Sequence, residues 1–272
     1  MKLSSITRIV NPACFFGAIA GDMIGSRHEW KACTDPQFAL FSKSSKFTDD
    51  SVLTIAVANA IINQRGYRDA IVEYARRYPK AGYGSYFRRW LKEDGVEPYN
   101  SFGNGSAMRV SSVGWAFNTV EDVLREAERS AAVTHNHPEG IKGAQSVALA
   151  IYLARTGVKK EEIRQEIETR FSYDLRRSLD EIRPTYQWDS TCPGSVPESI
   201  IAFLESTDFE SAVRNAILLG GDADTMAAIS GSIAEAYYGG VPTEIEAEVR
   251  RRLPPELIQI VDRFASLFSQ NS

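Results

Sequence analysis

DDSVLTIAVANAIINQ, residues 49–64, places Val52, Leu53, Ile55, Ala56, Ala60 and Ile61 at three- and four-residue intervals, the spacing of one helix face. Thr48 stands where an N-cap belongs, and two aspartates suit a first turn whose N–H groups lack partners. The same spacing recurs in 121–135, 139–157, 160–172, 196–208, 209–221 and 225–240, each closed by Gly, Pro or a polar cluster. It returns in 244–268, broken at Pro254 and Pro255. No period-2 alternation and no βαβ rhythm competes with it, so the fold class is all-α. Helices dense in Ala, Gly and Ser, at 143–154 and 226–236, suit close approach in its core. The stretch 78–99, YPKAGYGSYFRRWLKEDGVEPY, is rich in aromatics and glycine and is expected to be irregular, a lid.

The 272 residues suit one large domain over 1–272, with 43% hydrophobic and 24% charged residues as in ordinary globular chains. A net charge of −4 argues against a general nucleic-acid binder. Cys14, Cys33 and Cys192 are odd in number and form no C-x-x-C pair, which suggests neither a disulfide framework nor a zinc site and fits a reducing cytoplasm. Lys2 and Arg8 precede IVNPACFFGAIAGDMIG in the manner of a signal peptide, but Pro12 and Asp22 interrupt it. No segment approaches the roughly 20 apolar residues of a membrane helix. A cytoplasmic monomer without membrane attachment is expected.

Two acidic turns carry the chemistry. FTDDS (47–51) and GGDADT (220–225) each precede an apolar helix. Acidic residues at a helix start are favourable in their own right. A D-x-D spacing in a turn, however, can aim both carboxylates to one side. If the fold joins the two helix starts, four carboxylates and two hydroxyls share a small volume, which is untenable without cations. The donors are hard oxygens with no His or Cys, so Mg²⁺ is favoured, with Mn²⁺ or Ca²⁺ as alternatives.

Three further stretches are candidates. In GAIAGDMIGSRHEW (17–30), Gly17, Gly21 and Gly25 recur every fourth residue, a close-packing helix face, and Asp22 needs a partner if buried. Glu29, past that helix, is a candidate for chemistry; His28 is read as a packing or surface residue. In SFGNGSAMRV (101–110), Gly103 and Gly105 flank Asn104 and permit an anion nest to which Arg109 could add charge; a polar turn before a helix is the equal alternative. THNHPEG (134–140) holds His135 and His137, either a metal-ligating pair or a helix-terminating turn.

As a set, GAIAGDMIGSRHE, FTDDS, GNGSAMR, THNHPEG and GGDADTMAAISGSIAEAYYG resemble, in order and spacing, the ADP-ribosylglycohydrolase family, which includes the dinitrogenase reductase-activating glycohydrolases. The resemblance runs from about residue 15 to 242. It implies a compact multi-helix ADP-ribosylglycohydrolase-like orthogonal bundle with two magnesium ions at the base of a cleft that binds ADP-ribose. Thr48, Asp49 and Asp50 match the first metal-binding turn, and Asp222, Asp224 and Thr225 the second. Glu29 matches an acidic residue near the metals and the scissile ribose. Gly103, Asn104, Gly105, Ser106, Met108 and Arg109 match the segment holding diphosphate and ribose, and His135 a histidine lining the cleft. Ala223 stands where the family often has Ser or Thr, and the stretch from Glu29 to Lys46 varies among members.

The implied activity is magnesium-dependent cleavage of the ribose C1 bond of ADP-ribosylated protein, arginine-linked first, with Glu29, Asp49 and Asp224 as catalytic candidates. Two readings rival it: a non-catalytic ADP-ribose binder or structural protein on the same scaffold, and a two-metal phosphohydrolase.

Overall fold

The computed structural model describes residues 15–268. The signal-peptide question and Cys14 therefore lie outside the described residues. Those residues form fifteen helices and no strand; Gly103 and Thr191 share one isolated antiparallel bridge. In chain order the helices are α1 (Gly17–Gly25), α2 (Asp49–Ile62), α3 (Tyr67–Arg77), α4 (Ser85–Lys92) and α5 (Gly105–Met108). They continue with α6 (Ser111–Ala116), α7 (Val120–Ala131), α8 (Pro138–Arg155), α9 (Lys160–Phe171) and α10 (Leu179–Ile182). The chain closes with α11 (Cys192–Leu204), α12 (Phe209–Leu219), α13 (Ala223–Tyr238), α14 (Thr243–Arg252) and α15 (Pro255–Phe268).

Helix α13 is the axis. Every residue from Ala223 to Ala236 is buried, which its Ala, Ser and Gly content permits because helices α1, α8, α11 and α12 surround it. The strongly two-faced helices, α3, α7 and α15, lie outside and bury one stripe each. Helix α1 meets α13 backbone to backbone through Gly17, Gly21 and Gly25. A Cβ at Gly21 would fall on the Ala227 carbonyl, one at Gly25 on Ala223 and Asp224, and one at Gly17 on Gly231. The four-residue glycine spacing is thus a packing seam, and it fixes Asp22 of α1 beside Asp224 of α13.

Helix α1 has no side-chain cap of its own. Glu235, in the last turn of α13 and 1% exposed, takes that part: its Oε1 accepts from Phe16 N and its Oε2 from Gly17 N, both at 2.9 Å. Burial pushes its carboxyl from 4.5 up to about 7. A folded-state value above the unfolded one means that folding takes up a proton, so this group's contribution declines as pH rises from 4.5 to about 7 and is level above. Glu235→Gln should flatten that part of the pH dependence. Thermal melting of both proteins in chelator between pH 4.5 and 8 checks it, and parallel curves would refute it.

Two segments differ from the sequence reading. Residues 78–99 are not an irregular lid throughout: α4 forms there with Phe87 and Trp90 buried and Arg88 and Arg89 outward. Tyr83 stacks on Phe87 at 5.1 Å and Phe87 meets Trp90 at a tilt with centroids 5.3 Å apart, a helical aromatic spacing hidden among glycines. Helix α11 begins at Cys192, four residues before the predicted 196, because Thr191 caps it by accepting from Gly194 N at 3.2 Å. Pro193 lies in the first turn, where its missing N–H removes no bond. No described helix is long and apolar enough to cross a membrane.

Candidate metal centre and active site

The α2 and α13 starts do meet. Thr48 is extended and caps α2, its Oγ1 accepting from Asp50 N at 3.2 Å. At the other start, Gly220 (φ +83°) and Gly221 (φ +75°) turn the chain in the left-handed region that favours glycine, and Asp222 becomes the N-cap residue of α13. Helix α13 begins two residues before the predicted 225, so Asp224 and Thr225 lie in its first turn. Thr225 Oγ1 donates to Asp50 Oδ1 at 2.9 Å, joining motifs 175 residues apart.

A third element completes the centre. Asp22, fully buried on α1, accepts from Thr48 N at 2.9 Å, Thr48 Oγ1 at 2.7 Å, Ser51 N at 3.1 Å and Ser51 Oγ. Sequence reasoning asked for a partner for this residue but did not place it in the site. Its signal was an aspartate inside an apolar, glycine-spaced helix. Asp22, Asp50 and Asp224 each offer an oxygen within 4.8 Å of the others, and so do Glu29, Asp222 and Asp224. Asp224 belongs to both groups.

Asp49 is brought to the same place but outside those groups. Its N–H donates to Ala81 O at 3.0 Å, and its carboxylate, the one partly exposed member of the five aspartates, lies against Gly82.

Burial and mutual repulsion dominate the electrostatics. Burial first, opposed by the Thr48 and Ser51 bonds, leaves Asp22 up at about 6. Asp49 is held at about 7 by burial and by the charges of Asp22, Asp222 and Glu29. Asp50 and Asp224 stand well above the ordinary carboxylate range, through burial and then their acidic neighbours. Asp222 and Glu29 are raised by burial as well. Closely set, buried carboxylates with hard hydroxyl oxygens from Thr48 and Thr225 at hand form a donor set that fits divalent cations of the Mg²⁺ and Mn²⁺ kind.

The 101–110 loop borders this floor. Asn104 Nδ2 donates to Asp222 Oδ2 at 2.8 Å and to Ser195 Oγ at 3.2 Å, and its backbone N–H to Ser190 O at 2.8 Å. Neither Gly103 nor Gly105 has a left-handed backbone, so the glycine-permitted nest geometry read from the sequence is not adopted. They are glycines for space: a Cβ on Gly105 would meet the His135 ring at 3.2 Å. Ser106 Oγ donates to Gly140 O at 2.7 Å, and buried Met108 places its sulfur 4.0 Å from Thr225 Oγ1.

His135 is buried, with Nδ1 2.7 Å from Thr134 Oγ1, and burial together with Arg109 holds it neutral. Arg109 itself is fully buried behind that histidine, donating to Ser130 O at 3.0 Å and Thr134 Oγ1 at 2.9 Å. Its charge therefore supports the loop from behind. His137 caps α8 by accepting from Glu139 N, which is the turn reading of THNHPEG and not the metal-ligating one. His28 packs against Phe38 at 5.0 Å.

The chain is thus an all-helical bundle whose buried acidic groups, able to hold a metal ion, lie beside a glycine-bearing loop. The chain belongs to the ADP-ribosylglycohydrolase family, whose model matches residues 8–272. It is 28% identical over 306 residues to ADP-ribosylhydrolase ARH3 of Bos taurus, covering 83% of this chain and 84% of that protein. It is 26% identical over 234 residues to ADP-ribosylarginine hydrolase Tri1 of Pseudomonas putida (strain GB-1), covering 74% of this chain and 62% of that one. A solved structure described as an ADP-ribosylglycohydrolase-related protein complex superposes with a TM-score of 0.71 at 23% identity, covering 96% of this chain and 97% of that one, and shows the shared fold.

Proposed function

We propose that this enzyme is a magnesium-dependent hydrolase that cleaves the ribose C1 bond of ADP-ribosylated substrates, foremost arginine-linked ADP-ribose on protein, and releases ADP-ribose. The observation that carries the reading is the pair of carboxylate groups that share Asp224. Asp22, Asp50 and Asp224, with Thr48 and Thr225, would hold one cation, and Asp222 and Asp224, with Glu29 beside them, the second. Two bound Mg²⁺ would supply Lewis acidity and positive charge that grip ribose hydroxyls and orient water.

The chain's own residues supply the rest. Asp49, partly exposed and held at about 7, takes the proton of the attacking water at a carboxylate oxygen. Glu29, whose carboxyl is raised above its ordinary value by burial and by the charge of Asp222, gives a proton to the departing group. Gly103, Asn104, Gly105 and Ser106 hold the diphosphate and neighbouring ribose, with His135 along the wall, while Met108 and Arg109 support them from below. The relatives' printed names favour ADP-ribosyl conjugates, and Tri1 in particular an arginine linkage.

The test is a panel of purified conjugates, linked through arginine, serine, other hydroxyls or nucleic acid, each assayed with Mg²⁺ and with chelator. Intact ADP-ribose should appear with Mg²⁺ and not with chelator, most rapidly from the arginine conjugate. AMP as product would instead indicate attack at phosphorus, and binding without turnover a non-catalytic reader.

A further inference from the structure

Two tryptophans lie in water where the core gives them no reason to be. Trp30 is 79% exposed and Trp188 49%. Their rings stack on one another, centroids 5.6 Å apart and planes 20° apart, although 158 residues separate them. Trp30 directly follows Glu29 in the chain, so the ring stack anchors the residue next to that carboxylate. Residues 26–30 form a turn, so Glu29 lacks the helical backing that Asp222 and Asp224 have.

Trp188, by contrast, sits in a tethered loop. Within that loop Tyr186 OH donates to Gly194 O at 2.8 Å, Asp189 Oδ1 accepts from Thr191 N at 2.7 Å, and Ser190 O accepts from Asn104 N at 2.8 Å. The Tyr186 ring also fills the place where Gly221 would carry a side chain, directly before Asp222. The loop is therefore fixed to the metal-centre turn at one point and to the Glu29 segment at another.

We propose that Trp30 and Trp188 form a clasp that holds the Glu29 carboxylate over Asp222 and Asp224, which makes both tryptophans positioning residues. The inference rests on the functional reading above. The loop carrying Trp188 gives the turn that carries Glu29 a fixed reference: stacking sets the Trp30 ring, and with it the backbone that presents the neighbouring carboxylate. A misplaced carboxylate lowers turnover without changing how the ADP-ribose part binds, because the Gly103–Ser106 loop lies on other elements.

The experiment compares Trp188→Ala, Trp188→Phe and the parent by two readouts: steady-state kinetics on the conjugate the parent cleaves, and the circular-dichroism couplet of a stacked indole pair. Trp188→Ala should lose the couplet and lower kcat about 10- to 100-fold with KM within about twofold, while Trp188→Phe keeps most of kcat. In a Glu29→Gln background, Trp188→Ala should cause no further loss. Parent-like kcat, a change confined to KM, or an additive loss in the double variant would overturn the clasp, as would an active parent that shows no couplet. A parent that cleaves no conjugate yet shows a couplet abolished by Trp188→Ala would refute the functional reading, and the positioning role with it, while leaving the stack.

Discussion

Asp224→Asn should reduce ADP-ribose release by about 10³-fold or more, the scale of losing several kcal/mol of cation-derived stabilisation, and yet raise the melting temperature measured in chelator. Asparagine keeps the shape of the side chain but removes the one carboxylate common to both groups. Asp224 is held well above the ordinary range by burial and by Asp50, Asp222, Glu29 and Asp22, so in the metal-free protein its ionised form opposes folding. Relief of that opposition is worth about 1–2 kcal/mol, the usual scale when a functional site is relaxed.

The sign of the pH effect follows from the same groups. Asp22 at about 6 and Asp49 at about 7 lie above their ordinary 3.8, so metal-free stability falls as pH rises from 3.8 towards those values. Added Mg²⁺ should restore more stability at pH 8 than at pH 5. Product release, thermal melting with chelator and melting with Mg²⁺ together check the prediction. A variant as active as the parent, or one less stable in chelator, would defeat it.

Gly21→Val should prevent the chain from accumulating in folded form, or cost more than about 4 kcal/mol, which is exceptional for one substitution and diagnostic of overpacking. Its new carbons would fall on the Ala227 carbonyl and the Ala228 N–H, backbone atoms of the central helix that cannot step aside. Separating α1 from α13 would also carry Asp22 away from Asp224. Gly84→Ala is the control: nothing lies within 4 Å of its Cβ and its φ of −60° suits alanine, so stability should change by less than about 1 kcal/mol. Denaturant unfolding of both variants is the measurement, and similar losses would refute the seam.

Much of this was legible in the sequence where a local rule and the global fold agree. Thr48 reads as a cap and is one; the glycines at 17, 21 and 25 read as a seam and are one; FTDDS and GGDADT read as two halves that belong together, and Thr225 touches Asp50. What stayed hidden depends on direction or on long-range partners. A lone aspartate in an apolar helix cannot show that Thr48 and Ser51 wait for it 26 and 29 residues on. Arg109 follows a glycine-bearing loop, but sequence cannot say that it turns inward to Ser130 and Thr134. Helix α4 was masked by flanking glycines, and the Trp30–Trp188 stack has no sequence signature at all.

The seam between α1 and α13 has one more consequence. Helix α13 carries Asp224 in its first turn and, three turns along, the Glu235 that anchors α1, so a single 16-residue rod gauges both ends of its neighbour. With backbones in contact there is no compliant side-chain layer to absorb a change, and the oxygen-to-oxygen spacing of the floor becomes a property of two main chains. The rim, built from 26–47 and 183–191, is held through side chains and loop hydrogen bonds instead, such as Tyr186 against Gly221 and Trp30 against Trp188. Substitutions in those loops can therefore reshape the rim while the spacing of Asp22 and Asp224 stays fixed by the contact of α1 with α13.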